Sequence, residues 1–186
     1  AMIVAEEIEA GRISMDDVVT LTHNIELNDV DAVSAGLSTG DSITVHELLY
    51  SLLIRSFNDC CVVLAEEIAG SESAFVDMMN QKAFELGATN THFANSNGLH
   101  SVDHYTTTYD LYLMFNEFSK YKLLAEIDGI STYTMRYHHA NGEEVEVECS
   151  ATNGYLGEYD LPSGLNLHSW KTGTTTEAGS CLIMSV

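Results

Sequence analysis

Apolar and polar positions follow two different periods along this chain, and the change falls near residue 130. Before it, apolar residues recur three or four positions apart, which is the spacing of one buried helix face. After it, apolar and polar residues alternate, which is typical of strands with one face in a core. The first part therefore predicts five helices: residues 2–10, ended by Gly11; Thr44 to Arg55; Cys60 to Ala69, ended by Gly70; Ser73 to Leu86, ended by Gly87; and Thr107 to Phe118.

Turn residues divide the second part into strands. Asn141-Gly142 is the strongest short-range hairpin signal, because both residue types tolerate the positive φ of a tight turn. A turn at Glu177-Ala178-Gly179 lies between two further segments of strand character, so these segments are predicted to pair. The predicted strands are Val18–Thr22, Ser131–His138, Glu143–Cys149, a segment carrying Lys171, and Ser180–Val186.

Polar, glycine-punctuated stretches separate these elements. Asn24–Asp41 and residues 88–105 are predicted loops, and Ser56–Asp59 is a polar break between two apolar helices. Thr44 and Glu47 form a capping box, in which hydroxyl and carboxylate each satisfy a free helix N–H. Helices that precede strands in this way indicate an α+β fold, with a helical cluster packed on an antiparallel sheet. The length of 186 residues fits one domain.

The charge of the chain excludes some classes of partner. It has 28 acidic and 7 basic residues and a formal net charge of −21, so the basic footprint that nucleic acid requires is missing. The acidic residues are dispersed, which indicates a solvated surface. No apolar stretch approaches the roughly 18 residues of a membrane span. The four cysteines lack the C-x-x-C spacing of metal or redox sites and are predicted to be unpaired: Cys60, Cys61, Cys149 and Cys181. Cys60 and Cys61 are predicted to lie in the core.

One cation stands apart in this acidic chain. Lys171 is the only lysine or arginine after Arg136, and it opens a Lys-Thr-Gly triplet on a predicted strand. An edge strand of this kind offers an ammonium group, a hydroxyl and free backbone N–H groups. Together these groups suit a peptide that carries a carboxylate.

Two short motifs connect the chain to a known family. Ser56-x-Asn58 and Lys171-Thr172-Gly173, in this order, resemble two of the three motifs of the penicillin-recognising serine enzymes. The surrounding segments resemble the D-alanyl-D-alanine carboxypeptidases of the low-molecular-weight penicillin-binding type. The likeness covers almost the whole chain and is weakest between Leu124 and Leu165. It implies a β-lactamase/transpeptidase-like fold.

The third motif of that family is Ser-x-x-Lys, which carries the nucleophile. The resemblance places it immediately before Ala1, so residues 1–186 are interpreted as an incomplete single domain, truncated at both ends. A Ser-x-x-Lys match does occur at Ser119 and Lys122. It lies at the polar end of a predicted helix, outside the setting that a nucleophilic serine needs, and is interpreted as coincidental.

The resemblance implies a role for each motif residue. Ser56 would relay a proton to the leaving amine, and Asn58 would bind the substrate amide or the motif lysine. Lys171 would attract the terminal carboxylate of the substrate and hold the Ser56 hydroxyl. Phe57 replaces the small residue often found between Ser56 and Asn58, which is expected to narrow the cleft. Substrate binding is assigned to Thr172, Gly173 and Thr174, with the N–H of Thr174 as one half of an oxyanion hole.

Two histidines have a spacing that also occurs in metal sites. His100 and His104 are four residues apart, but they fall in a predicted loop, and no third ligand has the spacing of a metal site. No metal and no cofactor are therefore expected.

The resemblance implies a serine-type D-Ala-D-Ala carboxypeptidase that acts outside the cytoplasmic membrane on peptidoglycan stem peptides. β-Lactams would inhibit the intact parent protein, whereas residues 1–186 alone would be inactive. Two alternatives stay open: a non-catalytic peptidoglycan-binding or peptide-binding module of the same fold, and a β-lactamase. Residues encoded before Ala1 would separate the first alternative from an enzyme.

Overall fold

A computed structural model describes residues 1–156 and 160–186. Six helices and six strands lie in these two ranges. The helices are α1 (Met2–Glu9), α2 (Val45–Ile54), α3 (Asn58–Ala69), α4 (Glu72–Glu85), α5 (Thr108–Phe118) and α6 (Lys122–Asp128). The strands are β1 (Val18–Thr20), β2 (Ser42–Thr44), β3 (Thr132–His138), β4 (Glu144–Ser150), β5 (Ser169–Thr175) and β6 (Gly179–Ser185).

The strands form two separate antiparallel ladders. One is a four-stranded sheet in the order β1-β2-β3-β4, and the other is the hairpin β5-β6. The β3-β4 hairpin turns at Asn141-Gly142, where Gly142 has φ 85°, as the hairpin signal predicts. The ladder of β5 pairs Lys171 with Ile183 and Gly173 with Cys181. Because β5 pairs only with β6 in the described ranges, its other edge is open.

The core forms where α2 and α3 pack against the sheet. Leu48 and Leu49 on α2 are fully buried, and Ile43 and Met135 from the four-stranded sheet join the same cluster. Complete burial of one such side chain contributes roughly 1.5–3 kcal/mol. The buried α2 face therefore fixes the end of that helix, which leads directly into Ser56.

The α+β fold class and the predicted hairpins are confirmed, with several corrections to the elements. α3 starts at Asn58, so the break between α2 and α3 is shorter than the predicted Ser56–Asp59. The sequence interpretation missed α6 and β2, and it extended β1 by two residues. The sequence predicts one sheet, whereas the structure has two. Strands β1 and β2 pair into one sheet with the hairpin β3-β4, and the hairpin β5-β6 forms the other.

The predicted capping box forms only in part. Thr44 Oγ1 accepts a hydrogen bond from the N–H of Glu47 (3.2 Å), as an N-cap should. The Glu47 carboxylate does not return to the helix start. It accepts hydrogen bonds from Tyr133 Oη (2.7 Å) and from the N–H of Arg136 (2.9 Å) on β3. The glutamate therefore ties α2 to the sheet.

Among the residues that the structure describes, no helix combines the length and the apolar character needed to cross a bilayer.

Candidate active site

The two sequence motifs meet at a hydrogen bond between Lys171 and Ser56. Lys171 Nζ donates a hydrogen bond to Ser56 Oγ at 2.5 Å, across a separation of 115 residues along the chain. A second hydrogen bond runs from Lys171 Nζ to the carbonyl oxygen of Thr172 at 2.7 Å. The ammonium group is thus held between the break after α2 and its own strand.

The backbone at Ser56 has an unusual conformation. Ser56 has φ 63°, the only positive φ among the described residues other than glycine. A left-handed conformation costs a residue with a Cβ about 1–2 kcal/mol. The next residue, Phe57, is 5% exposed and packs in the main core cluster. Core packing of Phe57 therefore holds the turn that presents the Ser56 hydroxyl, and the expectation that Phe57 narrows the cleft is wrong.

Ser56 and Lys171 line a cleft of about 500 Å³, within the usual range for small-ligand pockets. Polar groups from the loop that follows α4 line the cleft as well, including Asn95 and Asn97. Its wall is mainly apolar and is built from α2, α4, α5 and β6, with Leu52, Met79, Leu111, Met114, Phe115 and Ile183.

Asn58 lies at the first position of α3 and is buried, 7% exposed. Its Oδ1 accepts from the N–H of Val33 (2.7 Å), and its Nδ2 donates to the carbonyl oxygen of Asn97 (3.0 Å). It is not among the residues that line the cleft. In this structure the Asn58 amide joins two loops beside the cleft.

The remaining motif residues follow Lys171 along β5. Thr172 Oγ1 shares a hydrogen bond with Thr152 Oγ1 at 2.5 Å, whereas Gly173 and Thr174 are exposed. None of these three residues lines the cleft beside Ser56 and Lys171. They continue the open edge of β5 away from that contact.

A buried carboxylate lies next to the site on α6. Asp128 is 2% exposed; its Oδ2 accepts from the N–H of Trp170 (3.0 Å), and its carbonyl oxygen accepts from the Trp170 indole (2.6 Å). Oδ1 of Asp128 is buried without a hydrogen-bond partner. Burial raises the pKa of Asp128 to about 6, against the opposing effects of the Trp170 N–H and the Lys171 charge.

The Lys171 ammonium is affected by the same surroundings. Burial lowers the pKa of Lys171, while the nearby acids Cys61 and Asp128 act in the opposite direction. Cys61 lines the cleft, and burial raises the pKa of its thiol to about 11. Cys61 is therefore a cleft residue, whereas the sequence interpretation placed it in the core.

We expect Asp128 to make stability depend on pH. Its pKa is higher in the folded protein than the ordinary value of 3.8, so the folded state holds the proton more tightly and stability falls as pH rises from about 4 to about 6. Asp128→Asn removes this titration. Relative to the wild type, the variant should gain about 2–3 kcal/mol in unfolding free energy between pH 4 and pH 8.

Urea unfolding at pH 4, 6 and 8 measures this difference, and any constant packing cost of the amide cancels between the pH values. Asp77→Asn, on the exposed face of α4, is the matched control and should show no such trend. Parallel stability curves for the Asp128 variant and the wild type would contradict the expectation.

Sequence reasoning missed Asp128 and Thr152 as neighbours of the motifs. Asp128 is the last residue of α6, a short helix without a strong period of apolar residues. Thr152 follows β4 in a segment without a motif. The single tryptophan of the sequence, Trp170 next to Lys171, is the one signal that the start of β5 packs against another element.

The alternative Ser-x-x-Lys match lies away from the cleft. Ser119 is the C-cap of α5, where its hydroxyl donates to the carbonyl oxygen of Asn116 (3.1 Å). Lys122 is exposed at the start of α6. Neither residue lines the cleft that holds Ser56 and Lys171, which agrees with interpreting the match as coincidental.

His104, one of the two histidines four residues apart, makes a contact with the backbone. His104 Nδ1 lies 3.3 Å from the backbone N–H of Ala94, and burial lowers the pKa of this ring. Across residues 1–156 and 160–186, no cluster of three or more histidine, cysteine or acidic side chains is arranged to hold a metal ion.

Comparison with known proteins agrees with this geometry. A family model described as D-alanyl-D-alanine carboxypeptidase matches residues 1–186. The chain is 34% identical to the D-alanyl-D-alanine carboxypeptidase DacF of Bacillus subtilis, over 99% of this chain and 44% of that protein. It therefore spans less than half the length of this relative.

The chain is also similar to solved structures. A Streptomyces DD-transpeptidase superposes with a TM-score of 0.81 at 26% identity, over 98% of this chain and 72% of the other. Penicillin-binding protein 6B from Escherichia coli superposes with a TM-score of 0.80 at 29% identity, over 98% of this chain and 55% of the other. Because the family model matches the chain from residue 1 to residue 186, the chain belongs to the D-alanyl-D-alanine carboxypeptidase family.

Proposed function

We propose that these residues form the substrate-binding core of a serine-type D-Ala-D-Ala carboxypeptidase that acts on peptidoglycan stem peptides outside the cytoplasmic membrane. The observation that carries the proposal is the 2.5 Å contact between Lys171 Nζ and Ser56 Oγ in a cleft. Two motifs far apart in the chain meet there, as the motif order leads one to expect. Family membership and the relatives' names support the same activity.

The nucleophile of the proposed reaction is the serine of the expected Ser-x-x-Lys motif before Ala1. Ala1 and Met2 line the same cleft as Ser56 and Lys171. A residue joined to the amino group of Ala1 would therefore enter close to the reacting groups. Ser119 has no such position.

In the proposed reaction the serine oxygen attacks the carbonyl carbon of the penultimate D-alanine. The peptide C–N bond breaks, the terminal D-alanine leaves as an amine that has gained a proton, and water later hydrolyses the acyl ester. Ser56 is placed to pass that proton, because its hydroxyl is held by Lys171. The Lys171 ammonium attracts the substrate carboxylate, and its partial burial strengthens that attraction.

The open edge of β5 supports binding of an extended peptide. Backbone groups on an unpaired strand edge bind a peptide by adding it as a further strand. In this proposal Thr172, Gly173 and Thr174 line the bound peptide, and the N–H of Thr174 contributes to the oxyanion hole. In this proposal Asn58 supports the cleft through the loops at Val33 and Asn97.

Covalent labelling with a fluorescent penicillin tests the proposal. The parent protein, expressed from its complete reading frame, should give one labelled band that unlabelled ampicillin suppresses, because β-lactams acylate the same serine. Mass spectrometry should place the adduct on a Ser-x-x-Lys serine before Ala1, and D-alanine should be released from a pentapeptide. The 186-residue chain alone should not label.

The other candidate functions correspond to other outcomes of this experiment. An unlabelled parent that still binds stem peptide would contradict the enzyme and favour a binding module. A label that is released within seconds, with fast penicillin turnover, would favour a β-lactamase. An adduct on Ser119 would overturn the assignment of the nucleophile.

A further inference from the structure

The loop between β1 and β2 contacts both sides of the proposed site. On one side, the N–H of Val33 donates to Asn58 Oδ1 (2.7 Å), and the N–H of Asn58 donates to the Val33 carbonyl oxygen (2.8 Å). These bonds fix the loop at the start of α3, two residues after Ser56. They hold the loop against the Ser-x-Asn motif.

The buried carboxylate of Asp59 strengthens this attachment. Asp59 is 1% exposed and accepts hydrogen bonds from Ser34 Oγ (2.6 Å) and from the N–H groups of Ala35 (2.9 Å) and Gly36 (3.1 Å). One carboxyl group thus holds three consecutive residues of the loop, Ser34, Ala35 and Gly36. Residues 33–36 are therefore a firm attachment for the rest of the loop.

On the other side, Asp31 holds the end of the Lys-Thr-Gly strand. Asp31 Oδ2 accepts from the N–H of Thr176 (2.6 Å), and Asp31 Oδ1 accepts from Thr176 Oγ1 (3.1 Å). Thr176 directly follows β5, which ends at Thr175. Asp31 and Val33 are two residues apart, so at most about 7 Å of chain separates the two attachments.

The start of β5 is held by a different acid. The N–H of Trp170, the residue before Lys171, donates to Asp128, whereas Thr176 lies six residues after Trp170. β5 has no partner strand on its open edge in the described ranges, so Asp31 fixes its far end. Thr174 lies two residues, or about 7 Å, before that fixed point.

We propose that Asp31 is a positioning residue, which sets the distance between the end of β5 and the Ser56 turn and thereby aligns the Thr174 N–H with the reacting carbonyl. This inference rests on the proposed function. It separates two tasks along one strand: Asp128 and Lys171 at its start govern binding of the carboxylate, and Asp31 at its end governs the rate of the chemical step.

Acylation kinetics of the parent protein with a fluorescent penicillin test the inference. Asp31→Ala should lower the acylation rate constant at saturation about tenfold, because displacements near 1 Å in a reacting site can cost up to about 10²-fold. The apparent binding constant should change less than about twofold, since Lys171 is held elsewhere. Asp31→Asn keeps an acceptor for the Thr176 N–H and should restore most of the rate.

Normalising each rate to the labelling endpoint removes the effect of unfolded protein, so a loss of stability alone would leave the rate constant unchanged. Asp77→Asn serves as the control of equal charge change. If the wild-type parent labels normally and Asp31→Ala has the same acylation rate constant, the inference is overturned and the proposed function stays intact. An unlabelled wild type would count against the proposed function instead.

Amide hydrogen exchange gives a second readout that needs no catalysis. Asp31→Ala should speed exchange at the Thr176 amide, which loses its hydrogen bond to Asp31, by about tenfold or more, while the Trp170 amide, bonded to Asp128, should keep its wild-type rate. Unchanged exchange at Thr176 would show that Asp31 does not hold the end of β5 and would overturn the positioning role, whether or not the parent protein labels.

Discussion

Replacing Lys171 with methionine in the parent protein should reduce penicillin acylation, measured as a second-order rate constant, by about 10³-fold, the upper end of the loss on removing one preorganised donor. Methionine keeps the length and apolar stem of lysine but removes the ammonium group. That group donates to Ser56 Oγ and is the cation held in the cleft beside it. The loss should therefore combine a misplaced hydroxyl with a missing attraction for the substrate carboxylate.

A pair of peptide substrates separates the two contributions of Lys171. One ends in a free carboxylate and the other in a carboxamide, and the wild type should strongly prefer the first. In the methionine variant the preference should fall sharply, because the cation assigned to the substrate carboxylate is gone. Lys171→Arg keeps the charge and should retain the preference at a reduced rate, since a planar guanidinium cannot reproduce the single-point contact. A variant that keeps the preference without a cation would contradict the assigned role.

Ser56 should give the second large effect. Ser56→Ala and Ser56→Gly both remove the hydroxyl that receives the Lys171 hydrogen bond. If that hydroxyl passes the proton to the leaving amine, each variant should lose about 10²–10⁴-fold in kcat/KM for D-alanine release. Penicillin should be affected less, because ring strain assists the cleavage of its C–N bond, although the ring nitrogen also takes up a proton.

The two Ser56 variants should differ in stability. Ser56 has φ 63°, where alanine remains strained and glycine does not. The glycine variant should therefore unfold at higher denaturant than the alanine variant, by about 1 kcal/mol in unfolding free energy. If the two variants lose the same activity but differ in stability, the loss of activity comes from the missing hydroxyl. Activity within threefold of the wild type in either variant would rule out the relay.

The parts of the fold that sequence predicts well are those with local signals. The Asn141-Gly142 turn, the helix stop at Gly70 and the apolar faces of α2 and α3 depend on a few neighbouring residues, and each forms as predicted. β2 and α6 are missed in the sequence because they are too short to show a periodic pattern. Their conformation depends on pairing with β1 and on packing against α2, which no local pattern reports.

The candidate site shows the same division. The motif order was enough to bring Ser56 and Lys171 together, and it gave no indication that the Asn58 amide would join two loops. Asp31 and Asp128 are ordinary acids among 28 in the sequence. Both matter through donors that are distant in the chain, and Asp128 also through its burial. Side-chain hydrogen bonds of this range can be known only once the backbone is placed.

The thiol in the cleft bears on the selectivity of the site for electrophiles. With a pKa of about 11, Cys61 is a thiolate in only roughly one molecule in 10⁴ at pH 7, and the thiolate is the reactive form of cysteine. An electrophile that enters beside Ser56 therefore meets sulfur in its unreactive state. Alkylating reagents at neutral pH should leave Cys61 largely unmodified, and oxygen acylation should proceed without competition from sulfur.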